Sequence, residues 1–379
     1  MAPRPLKSMI LAQTLDNRHC TFVSSAKHAI PFSQTQQTKW REAYDDKLTL
    51  SNHHMGQRKL LLSEIQLLNH YYSNNKIDKK EKLLIIYIGS APGTHLLFLK
   101  YMFPNITLIL YDGAMFDNRL RNDLTGTYEL HNEFFTDEKC HELKKRLKGK
   151  DMLFISDIRL GSGNKLEFER QVGRDNALQL GWIKILKPKY SLLKFRIPYL
   201  NKSIEYVKGR VMYQTWPKET SGETRLMVSK ANISQPLTTY DFKTYEESMF
   251  FHNKWTRRYC FPYVDADADK KSVKSVKKSS SSSLSTSSTA SSKTSKSSKS
   301  PSPSLGKIVY AKDNTYCTCY DCMSELYTLE EYSKLPGSKS LKTVLTEIKN
   351  SKYELKMAKF DKNIQALTII DDELSKKKT

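Results

Sequence analysis

The chain has 379 residues, of which 39% are apolar, and a formal net charge of +22 at neutral pH. That length holds one large domain or two small ones around a sizeable core, and no run of about 18 apolar residues exists to form a helical membrane span. Cys20, Cys140, Cys260, Cys317, Cys319 and Cys322 are spaced too irregularly for a small disulfide scaffold and suit a reducing, intracellular setting.

Residues 1–35 are mixed and partly polar and read as a partly flexible N-terminal segment. Met1 to Leu15 lacks the apolar core of a secretory signal. Trp40 to His54 mixes aromatic and charged residues. From Lys59 to Tyr72, Leu61, Leu62, Ile65, Leu68 and Tyr72 recur at helical spacing. A polar turn at 74–82 leads into the apolar run Leu83 to Ile88, a predicted strand. The run breaks into Gly89-Ser90-Ala91-Pro92-Gly93 and resumes as a helix-like segment, Leu96 to Phe103. Strand, glycine turn and helix in that order form a nucleotide-type binding loop, in which glycines let the backbone approach a ligand. No Lys-Ser/Thr follows, so this is not a P-loop, and the spacing is not G-x-G-x-x-G. A Gly-x-x-Pro-Gly loop suits S-adenosylmethionine better than a dinucleotide. The next predicted strand, Thr107 to Tyr111, ends in Asp112, nineteen positions after Gly93. An acidic side chain there is placed to accept both ribose hydroxyls of an adenosine ligand. The plainer reading, an Asp-Gly surface turn, explains neither the spacing nor the strand context.

Strands and helices keep alternating. Asp137 to Leu147 reads as a helix, Met152 to Ser156 as a strand ending in Asp157, and Leu166 to Leu186 as a long helix stopped by Lys187-Pro188. Tyr190 to Arg196, Glu205 to Trp216 and Glu223 to Val228 read as strands. The expected fold is α/β, a Rossmann-like S-adenosylmethionine-dependent methyltransferase. Its sheet is mainly parallel with helices on both faces, and the later strands form an antiparallel edge.

A single α/β core is expected over 36–264. Residues 265–305 read as a disordered Ser/Lys-rich insertion, too poor in apolar surface to offset its chain entropy. Its Lys270 to Ser300 stretch holds eight lysines and no acid, so subtracting it leaves +14 on the rest. A basic remainder points to a polyanion partner, most simply nucleic acid. Residues 306–379 read as a C-terminal helical extension packing on the core, with helices over Cys322 to Leu335 and Leu341 to Met357. Cys317, Cys319 and Cys322 lack an evident fourth ligand, so no metal site is expected.

Lys59, Asp157, Lys194 and Glu223 lie where such a sheet converges its strand ends. Two lysines and two carboxylates beside a methyl donor suit deprotonation of a sugar hydroxyl. A lysine whose pKa is lowered by a second cation would be the base, and the carboxylates would orient it. Each of the four alone reads more readily as a solvated surface residue, and spacing by itself does not establish that they converge.

Eight segments in order carry a resemblance: Gly56–Glu64, Tyr87–His95, Tyr111–Gly113, Ile155–Arg159, Asn176–Gln179, Leu193–Arg196, Glu223–Leu226 and Tyr245-Glu246. Together they resemble the poxvirus-type cap-specific mRNA 2′-O-methyltransferases, which double as small subunits of viral poly(A) polymerases, and their relatives in other large cytoplasmic DNA viruses. The resemblance runs from about 55 to 264, with a weaker echo at Tyr320 to Tyr332. It implies a Lys-Asp-Lys-Glu tetrad at Lys59, Asp157, Lys194 and Glu223, with Lys194 as general base. It implies donor binding by Gln57, the Gly89 to Gly93 loop, Asp112, Asp157 and Phe135, the last packed on the adenine. Ala114 stands where the family has a basic residue. A clamp for cationic 7-methylguanine is implied at Tyr199 and Glu246, with Trp40 or Tyr44 as second ring. Asn201 replaces an edge carboxylate.

The resemblance further implies S-adenosylmethionine as cofactor, capped mRNA as substrate and a viral poly(A) polymerase catalytic subunit as partner, with no membrane. The implied location is the host cytoplasm at the viral factory, the virion being a second. Three alternatives accompany the cap enzyme. They are a non-catalytic processivity partner of the polymerase, an rRNA-type 2′-O-methyltransferase and a degenerate RNA-binding relative. The intact tetrad and glycine loop argue against the last, the cap clamp and long C-terminal extension against the rRNA type.

Overall fold

A computed structural model of the chain describes residues 56–75, 81–159, 164–218, 220–254, 263–264, 308–309 and 320–349. Helix α1 (Gly56–Asn75) precedes strand β1 (Leu83–Ile88), then α2 (Thr94–Met102), β2 (Ile106–Tyr111), α3 (Asn118–Arg121) and β3 (Tyr128–His131). Next come α4 (Asp137–Arg146), β4 (Met152–Ser156), α5 (Lys165–Leu186) and β5 (Tyr190–Phe195). The chain continues through β6 (Ser203–Tyr206), β7 (Arg210–Met212), β8 (Thr224–Ser229), α6 (Lys230–Ile233), β9 (Thr238–Asp241) and α7 (Phe242–Lys254). The short strands β10 (Tyr263–Val264) and β11 (Ile308–Val309) pair with each other, and α8 (Tyr320–Ser333) and α9 (Leu341–Lys349) follow.

The main sheet has seven strands in the order β3-β2-β1-β4-β5-β8-β7. The first five run parallel, while β8 is antiparallel to both β5 and β7. Central strands of such a sheet are covered on both faces, which explains the unbroken apolar runs: every residue of β4 is buried, and all but one of β1. Crossovers run one way from β1 through β2 and the other way through β4. Right-handed connections therefore put α2 on one face and α4 and α5 on the other, and the β1/β4 boundary is the switch point where ligands bind. Accordingly α1 packs on α2, and α4 on α5.

Helix ends follow local chemistry. Asn164 caps α5 by accepting the Glu167 amide at 2.9 Å. Lys187 closes the helix in the left-handed region (φ 52°), just before Pro188.

Two expectations need correction. Glu205 to Trp216 is not one strand. It is interrupted at residues 207–209, where a Cβ on Gly209 would sit 2.8 Å from Leu226 and from the Met227 carbonyl. The first half, β6, pairs antiparallel with β9 in a separate two-stranded sheet, and the second, β7, edges the main sheet. Lys59 lies in the first turn of α1, which already begins at Gly56. The expected helix at Leu341 to Met357 is described as far as Lys349. The Ser/Lys-rich insertion, and residues 1–55 with Trp40 and Tyr44, lie outside the described residues.

Candidate active site

Loop 89–93 leaves β1 at the switch point. Gly89 takes φ 77° and Gly93 φ 73°, values that favour glycine, and the Ala91-Pro92 peptide is cis. A Cβ on Gly89 would lie 2.9 Å from the Asp157 carbonyl carbon and the Ile158 nitrogen. Its bareness thus serves the chain's own approach to the end of β4, a role that the ligand-approach argument did not foresee. A Cβ on Gly93 would strike Leu120 and Leu96 side chains. The Asp112 carboxylate accepts the Ala91 amide at 2.9 Å through one oxygen and the Ala114 amide at 2.8 Å through the other. Each oxygen keeps a further lone pair, as two neighbouring ribose hydroxyls require. Ser90 is buried, its hydroxyl 3.4 Å from the Tyr87 carbonyl. The Gln57 carbonyl oxygen accepts from the Thr94 hydroxyl at 3.0 Å and lies 2.7 Å from His95 Nδ1, so its amide NH2 is the group left for a ligand. Behind it, the buried His95 Nε2 meets Glu64 at 2.8 Å. Phe135 is wedged edge-on between Tyr111 and Trp182 and is almost wholly buried. The exposed ring beside the Asp112-Gly113 turn is Phe134.

The four tetrad residues come together. Lys194 Nζ lies 3.3 Å from Asp157 Oδ1, 3.4 Å from Glu223 Oε2 and 3.4 Å from the Asp157 carbonyl. Lys59 Nζ lies 3.4 Å from Glu223 Oε1. These contacts are long for charge-assisted hydrogen bonds.

Arg225, not among the expected site residues, completes the cluster. It faces Lys194 across the β5–β8 ladder and is 2% exposed. Its guanidinium donates to Asp157 Oδ1 at 2.5 Å and to Gln214 Oε1 at 3.0 Å. Gln214 in turn donates to Glu223 Oε1 at 3.2 Å. Three cations thus surround two carboxylates. Burial raises the Asp157 carboxyl, but Arg225, then Lys194 and Lys59, outweigh it and hold it below the usual range. Burial opposes ionisation of Glu223 too, yet Lys59, Lys194 and Arg225 hold it well below its ordinary value. Lys59 is lowered, chiefly by burial, against the pull of Glu223 and Asp157.

Tyr199 and Glu246 meet around Gly222. A Cβ there would be 3.1 Å from the Tyr199 hydroxyl and 3.3 Å from Glu246 Oε1. The Arg196 guanidinium lies over the Tyr199 ring, 4.4 Å from its centroid. Glu169, a buried residue of α5, accepts from Arg196 at 3.0 Å and from the Tyr199 amide at 2.8 Å, fixing both. Asn201 is exposed. No grouping of three metal-ligating side chains and no helix long and apolar enough to cross a membrane occurs among the described residues. Cys317, Cys319 and the Cys322 side chain lie outside them.

A family model described as poly A polymerase regulatory subunit matches residues 29–274. A protein of Myxoma virus (strain Lausanne), named cap-specific mRNA (nucleoside-2'-O-)-methyltransferase, is 32% identical over 213 residues, covering 54% of this chain and 62% of the relative. A Fowlpox virus (strain NVSL) protein of the same name is 31% identical over 247 residues, covering 62% of this chain and 77% of the relative. The structure of bluetongue virus VP4, titled a multifunctional RNA-capping production-line, aligns with 56% of this chain and 33% of its own at 15% identity. Its TM-score of 0.38 is too low to bear on function.

Proposed function

The chain belongs to the poly(A) polymerase regulatory subunit family, and from that premise we propose that it is a cap-specific mRNA 2′-O-methyltransferase. It would transfer a methyl group to the ribose 2′-oxygen of the first transcribed nucleotide. The observation that carries the reading is the cluster of Lys59, Asp157, Lys194 and Glu223, with Lys194 held between both carboxylates, at the switch point beside the Gly89–Gly93 loop. The matches to the Myxoma and Fowlpox virus methyltransferases, which span 62% and 77% of those proteins, support it.

S-adenosylmethionine would supply an electrophilic methyl group. Asp112, with one lone pair free on each oxygen, would accept its ribose hydroxyls. Gln57 would donate its amide, and Gly89 to Gly93 would line the turn between them. Phe135 would contribute the small part of its surface that is not core.

Lys194 would take or steer the proton of the 2′-hydroxyl. A ribose hydroxyl is a weak nucleophile until that proton is drawn away. Asp157 and Glu223, kept ionised by three cations, would hold the Lys194 amino group in place and stabilise the ammonium that forms as it takes the proton. Lys59 and Arg225 set their positions. Tyr199 and Glu246 would take the methylated guanine of the cap, cation against ring and carboxylate, with Asn201 at the rim and Trp40 or Tyr44 as second ring. Capped mRNA is then the substrate and a viral poly(A) polymerase catalytic subunit the protein partner, at the viral factory in the host cytoplasm.

The test is radiolabelled methyl transfer to short RNA carrying either a 7-methylguanosine cap or a 5′-triphosphate, with nuclease mapping of the product. Label on the first 2′-oxygen only with the cap is the expected result. Cap-independent label overturns the cap reading in favour of an rRNA-type enzyme.

A further inference from the structure

We infer that Glu325, in helix α8, is a positioning residue for the methyl-transfer site: its one carboxylate ties the segment that carries Lys59 to the segment that holds Glu223. Helix α8 lies beyond residues 29–274, the part matched by the family model. It packs against α1 with a polar face turned inward, since Asp321, Ser324, Glu325 and Thr328 are all buried.

One oxygen of Glu325 takes the guanidinium of Arg58, at 2.8 Å from Nε and with a second bond from the terminal nitrogen. The other oxygen accepts Trp216 Nε1 at 2.7 Å. The neighbouring contacts grip the same loop. Asp321 accepts the Trp216 amide at 2.8 Å, and the Ser324 and Thr215 hydroxyls lie 2.8 Å apart. Trp216 takes φ 60°, a conformation that a large side chain adopts only when its surroundings hold it there.

Each tied segment leads straight into the site. Arg58 sits between Gln57 and Lys59 in the first turn of α1. Trp216 comes two residues after Gln214, which bonds both Glu223 and Arg225. The two lines close on each other at Lys59 Nζ and Glu223 Oε1, 3.4 Å apart. Arg58 is 4% exposed and Glu325 fully buried. Burying both forgoes the hydration of two charges, which an apolar pair of like volume would not, so geometry explains the pair better than stability does.

This inference rests on the reading of the tetrad as the methyl-transfer site. Two variants of the full chain test it. In Glu325→Gln, an amide NH2 faces either Arg58 or Trp216, donor against donor. The double variant Arg58→Met/Glu325→Leu removes both charges and cuts the tie. Both are expected to stay folded, judged by thermal melts. Both should lower kcat about tenfold or more, roughly 1.4 kcal/mol in barrier, with the KM for capped RNA little changed. The Lys59 ammonium, followed by NMR in lysine-labelled protein, should titrate further below its wild-type position as Glu223 withdraws. Folded variants with wild-type kcat and an unmoved Lys59 overturn the inference, as does unfolding of both variants, which would make the pair merely structural. The NMR readout stands without turnover. If the wild-type chain transfers no methyl group, the functional reading fails, while a shifted Lys59 still upholds the tie.

Discussion

Gln179 holds both main-chain polar groups of Lys194: its amide donates to the Lys194 carbonyl at 3.0 Å and its oxygen accepts the Lys194 amide at 3.1 Å. Strand β4 ends at Ser156, opposite Leu193, so Lys194 has run one residue past its parallel neighbour. A side chain from α5 takes over as ladder partner. Asn176, one turn earlier, does the same for the Arg196 carbonyl at 2.9 Å. The end of β5 thus stays extended while its lysine projects beyond the strand that should have fixed it.

Replacing Gln179 by Leu leaves that amide and carbonyl buried without partners, at a cost of about 1–3 kcal/mol each. The strand end should relax and the Lys194 ammonium drift from both carboxylates. A fall in kcat of roughly tenfold or more is expected, with binding of S-adenosylhomocysteine near wild type by calorimetry. Equal losses in both would mean that Gln179 merely stabilises the fold.

Lys194→Ala removes the group held by both carboxylates and is expected to abolish methyl transfer, a loss of at least about a hundredfold. Donor binding should persist, because Asp112, Gln57 and the glycine loop contact other partners. Single-turnover assays at saturating donor separate the two effects. Normal turnover in this variant would remove Lys194 from the mechanism.

The ion cluster should write a signature into the pH dependence of stability. Asp157 and Glu223 both titrate below their ordinary values. In the unfolded chain they would titrate near pH 4. Below that point the unfolded state binds more protons than the folded one, so stability falls with falling pH. Their contribution is therefore complete above about pH 4 and disappears as pH drops through the lower folded values. The double variant Asp157→Asn/Glu223→Gln should be less stable at neutral pH, and the gap should narrow on acidification. Chemical denaturation between pH 7 and 3 measures it. A constant gap would mean that the two carboxyls keep ordinary values in the folded state.

Strongly patterned elements were legible from the sequence. Met152–Ser156 is a strand with the expected bounds because four consecutive apolar residues, Met152 to Ile155, run into a break at Asp157. The Gly89–Gly93 turn stood out because two glycines bracket a break in apolar pattern. Short half-buried strands were missed: no residue of β3 is fully buried, and β9 alternates half-buried with exposed positions, so neither shows an apolar run. The helix at Phe242–Lys254 was missed as well. The polar groups that aim the site were also hidden. Arg225 lies inside the expected strand Glu223 to Val228 and Glu169 inside the expected helix Leu166 to Leu186, and no spacing marks either. Arg58 and Glu325 are 267 positions apart, a pairing that no local pattern announces. Even the glycine loop was understood for a different reason, since Gly89 makes room for the end of β4.

Gly222→Ala separates cap binding from everything else. The new methyl carbon would sit 3.1 Å from the Tyr199 hydroxyl and 3.3 Å from Glu246 Oε1, closer than most Cβ contacts, so ring and carboxylate must part by a few tenths of an ångström. Gly222 has no positive φ, so the backbone itself accepts alanine. The expected result is weaker binding of 7-methylguanosine-capped RNA, by about three- to tenfold, with uncapped RNA and S-adenosylhomocysteine unaffected. Tyr199→Ala should do the same more strongly, because the cationic base loses its stacking face. Fluorescence titrations with capped and uncapped oligonucleotides of one sequence read the difference. If both RNAs weaken equally in both variants, Tyr199 serves general RNA contact or core packing, and the cap must be read elsewhere.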